Sequence, residues 1–134
     1  MRIDISNSTD ISNVIFELYG VQIKNTIRGI TTDSRNLMNG DIYIAIEGEN
    51  NDGHNYLKQV DALNASAVIV DKNKNYDNLN SQIISVNDTI KAIGDIAKSY
   101  RLKFAIPIIG ITGSNGKTST KELLSHVLDG EFKV

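Results

Sequence analysis

A chain of 134 residues with 40% hydrophobic content can bury one core and carry an appended element, and two full domains are not expected. Its 14 basic and 16 acidic residues give a net charge of −2 with no Lys/Arg block, which excludes the footprint of a nucleic-acid binder and makes any phosphate binding local. The absence of cysteine removes disulfides, Cys-based metal sites and thiol nucleophiles. No segment approaches the roughly 18 consecutive apolar residues of a membrane span, and none resembles a signal peptide, so a soluble, cytoplasmic protein without membrane insertion is expected.

The first predicted element is a helix over Asp10–Leu18, where Ile11, Val14, Ile15 and Leu18 recur at helical spacing, with Ser8 or Thr9 as N-cap and Gly20 as stop. Short β-branched runs bounded by Gly, Asn or Asp predict strands at Ile27–Thr31, Ile42–Ile46, Ala67–Val70 and Ile83–Val86. Between the second and third of these, a helix from about Asn55 to Leu63 puts Tyr56, Leu57, Val60 and Leu63 on one face, with Asn64 as C-cap. Lys72–Asn80 reads as a polar, Asn-rich loop. Asn87–Leu102 then carries a longer apolar stripe of Ile90, Ile93, Ile96, Ala97 and Tyr100, capped by Asn87 or Asp88. A boundary near Arg101–Ala105 separates a small N-terminal α/β domain, residues 1–103, from a second element, residues 104–134.

That second element opens as a strand, with the only proline, Pro107, at its start, where a missing N–H is tolerable. The run Ile106–Thr120 passes from this strand through a Gly-rich turn to Gly116-Lys117-Thr118 and an amphipathic helix, about Lys117–Leu128. Thr120, Leu123, Leu124, Val127 and Leu128 form the side expected to pack on a sheet. A phosphate-binding domain normally needs about four or more parallel strands and a downstream acid for its Mg²⁺ shell. The predicted fold class is therefore α/β: a small complete domain, then the first strand, P-loop and helix of a truncated parallel-sheet ATPase domain.

The turn has the chemistry of a nucleotide-phosphate cradle. Glycines let backbone N–H groups face the phosphates, and a helix N-terminus favours anions. The candidate nucleotide-binding residues are Thr112, Gly113, Ser114, Asn115, Gly116, Lys117, Thr118 and Ser119. Among them Lys117 is the catalytic candidate, meeting the β- and γ-phosphates, Thr118 is the Mg²⁺ ligand, and Asn115 shapes the loop through its tolerance of left-handed backbone. The first glycine of the usual pattern is Ile111 here. Lys121, Glu122 and His126 are read as solvent-facing, without a chemical role.

The loop Ile111-Thr112-Gly113-Ser114-Asn115-Gly116-Lys117-Thr118-Ser119 closely resembles the ATP loop of the Mur ligase family, which includes the folylpolyglutamate synthases. Upstream, Thr31-Thr32-Asp33-Ser34-Arg35, then Asn39-Gly40-Asp41-Ile42-Tyr43-Ile44-Ala45-Ile46-Glu47-Gly48 and Asn51-Asp52-Gly53-His54, are similar to the UDP-sugar-binding first domain of its muramyl-peptide ligases. Within the family, Lys117-Thr118-Ser119-Thr120-Lys121-Glu122 is most similar to the ligases that add D-alanyl-D-alanine to UDP-N-acetylmuramoyl-tripeptide. The Asp-Ser-Arg and Asp-Gly-His signatures are shared with the ligases that add the third amino acid, which stay open as the alternative.

The resemblance implies a multidomain, cytoplasmic, monomeric ligase of peptidoglycan synthesis that uses ATP and Mg²⁺, with UDP-N-acetylmuramoyl-peptide and D-alanyl-D-alanine as substrates. In that reaction ATP phosphorylates the terminal carboxylate and the incoming amine attacks the acyl phosphate, while Lys117 and Mg²⁺ offset phosphate charge. This chain would hold the first domain and a fragment of the second, so catalysis by the chain alone is not expected. Thr32, Ser34 and Arg35 become the candidate contacts to a uridine or diphosphate, with His54 as a further one. The same residue types equally suit a turn held by Asp33 and Ser34 on their own backbone and a capping role for His54. A free-standing UDP-sugar-binding module and an ordinary P-loop phosphotransferase are rival readings from other classes.

Overall fold

Short runs of β-branched residues alternate with amphipathic segments through the first hundred residues, and in the computed structural model, which describes residues 2–132, they assemble into one five-stranded sheet. Its strands are β1 (Arg2–Asp4), β2 (Gly29–Thr31), β3 (Asp41–Ile44), β4 (Ala67–Asp71) and β5 (Gln82–Val86), and they lie side by side in chain order. β1 runs antiparallel to β2, and the other neighbours are parallel. The helices are α1 (Ser8–Tyr19), α2 (Leu57–Ala62), α3 (Thr89–Arg101) and α4 (Lys117–Leu128).

A parallel sheet whose strand order follows the chain must place all its crossovers on one face if their hand is constant. The side chains agree: Leu37 from the β2–β3 connection, Leu57 and Val60 from α2, and Tyr76 and Leu79 from the β4–β5 connection share one core with Tyr43, Val68 and Val70. The alternate residues Ile42, Ile44, Ala67, Ile69 and Ile84 point the other way, as strand geometry requires, and meet Ile11, Val14 and Ile15 of α1 and Ala92 and Ile96 of α3. The chain divides into two compact units, Met1–Phe104 and Ala105–Val134. The first unit is thus a three-layer α/β sandwich.

Several boundaries move from their predicted places for identifiable reasons. α1 starts earlier and is capped by Asn7, whose side chain accepts from the Thr9 and Asp10 amides, rather than by Ser8 or Thr9. The Ser8 hydroxyl is committed elsewhere, accepting from the Ile27 amide at 2.8 Å. Gly20 ends α1 in the left-handed region at φ 68°, as its position predicts. The helix expected over Asn55–Leu63 is split into a 3₁₀ turn, Gly53–Tyr56, and the short α2; Leu63 is exposed rather than on the buried face, and Asn64 follows with φ 57°.

On α3, Asp88 is the cap and Ile96 is buried, but Ile90 is 62% exposed and Ala97 is exposed as well; the buried positions are Thr89, Ala92 and Ile96. Ile90 lies two residues from Ala92, about 200° around the helix, so it cannot face the sheet with it. β1 was not anticipated, because its single apolar residue, Ile3, carries no readable alternation.

In the second unit the expected apolar strand opening at Ile106-Pro107 is not formed: a strand needs a ladder with a neighbouring strand, and the described residues form none there. α4 forms where predicted, from Lys117, with Leu124 and Leu128 half-buried and Leu123 and Val127 exposed.

Candidate functional site

The carboxyl ends of β2 and β3 open into a cleft of about 480 Å³, the place where parallel α/β sheets present ligand-binding loops. One wall is the turn Thr32-Asp33-Ser34-Arg35 that follows β2, and the other carries Ile46, Asn51, Gly53, Tyr56 and Gln59, with Tyr43 between them. Thr31 starts the turn: its Oγ1 accepts from the Asp33 amide at 3.1 Å and donates to the Asp33 carbonyl at 3.2 Å. The Asp33 carboxylate then caps the 3₁₀ turn Ser34–Asn36 by accepting from the Arg35 amide at 3.1 Å. The Arg35 guanidinium doubles back onto the same carboxylate, Nε to Oδ1 and Nη2 to Oδ2, each at 2.9 Å. Arg35's side-chain and backbone hydrogen bonds hold the Asp33 carboxyl down at about 2. Ser34 is buried, whereas the Arg35 side chain is 84% exposed.

The facing wall is a tight hairpin closed on itself. The Gly53 amide donates to the Ile46 carbonyl at 2.8 Å and the Gly48 amide to the Asn51 carbonyl at 2.8 Å, with Glu47 and Asp52 bridged between them. Tyr43 donates its hydroxyl to the Gly53 carbonyl at 3.0 Å from beneath, and Tyr56 donates to Asn51 Oδ1 at 3.0 Å from the side. Burial, together with Asp33, Tyr56 and Asp52 nearby, pushes the Tyr43 phenol up to about 12, so it stays a neutral donor. Asn51, Tyr56 and Gln59 were not read as site residues from sequence. The available signal was spacing, since Tyr56 and Gln59 stand three residues apart and share a helical face.

His54 lies behind this wall and does not line the cleft. Its side chain is 5% exposed. Nε2 accepts from the Asp71 amide at 3.0 Å, which leaves Nδ1 as the protonated nitrogen, 2.6 Å from Asp52 Oδ1. The ring therefore links the start of the 3₁₀ turn to the end of β4. Lys74 completes the group, with Nζ 2.8 Å from Asp52 Oδ2 and 2.8 Å from Glu47 Oε1. Burial opposes ionisation of Asp52, but the hydrogen bonds from Lys74 and from the backbone and ring of His54 outweigh it and hold this carboxyl well below the usual range.

The residues that the sequence suggests as a phosphate loop occupy the second unit. Gly113 has φ 143° and Gly116 φ 77°, backbone conformations that side-chain-bearing residues rarely adopt, and Gly116 directly precedes α4. Lys117 turns back across the loop and donates from Nζ to the Gly113 carbonyl. Thr112 through Ser119 are all exposed. Among the described residues no group of three or more His, Asp or Glu side chains is placed to hold a metal ion. No helix is long and apolar enough to cross a membrane.

A family model described as Mur ligase family, catalytic domain, matches residues 26–101, more than half of the chain. The chain belongs to the Mur ligase family. Relatives in that family include the UDP-N-acetylmuramoyl-tripeptide–D-alanyl-D-alanine ligases of Synechocystis sp., 44% identical over 76% of this chain and 22% of the relative, and of Escherichia coli, 36% identical over 96% and 27%. The UDP-N-acetylmuramoyl-L-alanyl-D-glutamate–2,6-diaminopimelate ligase of Aquifex aeolicus is 34% identical over 92% of this chain and 25% of its own length.

Among solved structures, MurF from Acinetobacter baumannii superposes with a TM-score of 0.77 at 31% identity, covering 90% of this chain and 27% of that one. MurF from Thermotoga maritima, solved in complex with ADP, gives 0.66 at 28% identity, covering 76% and 23%. The chain thus spans about a quarter of the length of the Mur ligases it matches. The mostly parallel α/β sheet is the one these structures share with it.

Proposed function

We propose that the chain is the N-terminal portion of an ATP- and Mg²⁺-dependent ligase of peptidoglycan-precursor synthesis, which joins D-alanyl-D-alanine to UDP-N-acetylmuramoyl-tripeptide through an acyl phosphate. In this reading residues 1–103 take the UDP-sugar end of the substrate and residues 104–134 open the ATP-binding domain of a cytoplasmic, monomeric enzyme. The observation that carries it is the cleft at the ends of β2 and β3. There the hydroxyls of Thr32 and Ser34 and the guanidinium of Arg35 offer donors for a diphosphate, while Tyr56, Asn51 and Gln59 offer a flat ring and amides for a pyrimidine base. Because Arg35 is paired with Asp33, a bound diphosphate competes with that carboxylate for the same fork. His54 supports the wall from behind rather than touching the ligand.

The loop of the second unit fits a nucleotide triphosphate tail. Gly113 and Gly116 both have positive φ, so a side chain at either would be strained, and glycine backbone of this kind leaves room for amides to approach phosphate oxygens. ATP, when bound, supplies the phosphoryl group that activates the carboxylate. Lys117, which donates to the Gly113 carbonyl here, would bind the phosphate oxygens and offset their charge, and the Thr118 hydroxyl would provide one ligand for Mg²⁺. Thr112, Ser114, Asn115 and Ser119 complete the rim. The greater identity to D-alanyl-D-alanine ligases than to the diaminopimelate ligase favours the former activity over addition of the third amino acid.

Calorimetric titration of this chain with UDP-N-acetylmuramoyl-tripeptide should show saturable binding that Arg35→Ala weakens. An enzyme extended to the length of its relatives should ligate D-alanyl-D-alanine to that tripeptide only with ATP present. Absence of binding to the chain, or ligation of a single amino acid to the dipeptide precursor instead, would overturn the assignment.

A further inference from the structure

Glu47 and Asp52 face each other across the neck of the hairpin that forms one wall of the cleft. Two carboxylates in directly opposed cross-strand positions repel and would open that neck. Between them lies a single ammonium: Lys74 Nζ is 2.8 Å from each. Lys74 belongs to neither strand of the hairpin and does not line the cleft; it enters from the β4–β5 crossover, positioned by a turn in which its amide donates to the Asp71 carbonyl at 3.1 Å. The same Asp71 gives its amide to His54, whose ring bonds Asp52, so the clasp is tied at both ends to the end of β4. Beyond the neck the hairpin carries Asn51, the acceptor of the Tyr56 hydroxyl.

We infer that Lys74 is a positioning residue: by neutralising Glu47 and Asp52 it keeps the hairpin shut and holds Asn51 and Tyr56 as the wall against which the uridine nucleotide is bound. The inference rests on the proposed function for its ligand, and on the hairpin geometry for its mechanism.

The test uses the 134-residue chain with Lys74→Met, Lys74→Arg and the double variant Lys74→Met/Glu47→Gln, each titrated with UDP-N-acetylmuramoyl-tripeptide and examined by amide hydrogen exchange. Lys74→Met should weaken binding about fivefold, the scale of one partly exposed ion pair, and should speed exchange of the Gly48 and Gly53 amides that close the hairpin. Lys74→Arg should restore both readouts. The double variant should recover most of the affinity without any cation, because the repulsion across the neck has been removed; a merely structural role for the lysine predicts no such recovery. Wild-type affinity in Lys74→Met, or a double variant no better than the single one, overturns the inference. If the unaltered chain binds no UDP-N-acetylmuramoyl-tripeptide, the functional reading fails by itself. Exchange at Gly48 and Gly53 then decides the clasp, with unchanged rates in Lys74→Met refuting it.

Discussion

Arg2 and Asp41 form a bidentate ion pair that staples the edge strand β1 to β3 across β2, with Nε 2.6 Å from Oδ2 and Nη2 2.8 Å from Oδ1. The Asp41 side chain is 0% exposed, and its only other donor among the described residues is the Met38 amide at 2.9 Å. The pair lies over Gly29, where a Cβ would come within 2.6 Å of the guanidinium. Arg2→Ala therefore strands a buried carboxylate and should cost about 3–5 kcal/mol. Urea unfolding should show a lower midpoint at unchanged slope. A loss under about 1 kcal/mol, the range of an exposed pair, would mean that water reaches Asp41.

Gly53 carries the geometry of the cleft wall in its missing side chain. A Cβ there would lie 2.8 Å from the Ile46 amide nitrogen and 3.0 Å from both the Ile46 carbonyl and the Tyr43 hydroxyl. Two of these are backbone atoms of the hairpin itself, so the neck must move. Gly53→Ala should destabilise by about 1–3 kcal/mol, the usual overpacking range, and should weaken binding of the uridine nucleotide more than it lowers the melting temperature of the remaining core. Normal stability with normal binding would show that the hairpin yields freely.

Acid should weaken the two carboxylates that hold the walls of the cleft. Asp33 and Asp52 both have folded-state values below the ordinary 3.8, Asp33 through Arg35 and Asp52 through Lys74 and His54 in spite of burial. A depressed carboxyl contributes stability that is fully present above its unfolded value and is lost as pH falls through its folded value. For Asp33 that window runs from about 4 down to about 2. Asp52→Asn should be less stable than the parent at neutral pH and should lose less on acidification below about pH 4. Parallel stability curves for parent and variant would exclude Asp52 as an acid-sensitive group.

In an enzyme of full length, Lys117→Ala should lower kcat about 100-fold or more, because charge on the transferring phosphoryl group then loses a preorganised cation. Affinity for UDP-N-acetylmuramoyl-tripeptide should stay close to normal, since the cleft is built from Thr32 to Arg35 and the facing hairpin of the first unit. Near-normal turnover would refute the role given to Lys117.

Local periodicity by itself determined α1, α3, α4 and four of the five strands to within a few residues, together with the left-handed stop at Gly20. Those features depend on side chains a few positions apart and on the absence of a Cβ, both of which are written in adjacent residues. The family resemblance was legible for the same reason, as contiguous motifs around Asp33 and Lys117. Only the tertiary structure decided that Arg2 finds Asp41 and so makes β1, that Ser8 gives up its cap to hold Ile27, and that Lys74 reaches Asp52 and Glu47. It likewise turned His54 inward as a bracket to Asp71 and brought Asn51, Tyr56 and Gln59 opposite the Thr32–Arg35 turn. Each of these arrangements joins residues far apart in the chain, which come within reach of one another only once the sheet has formed.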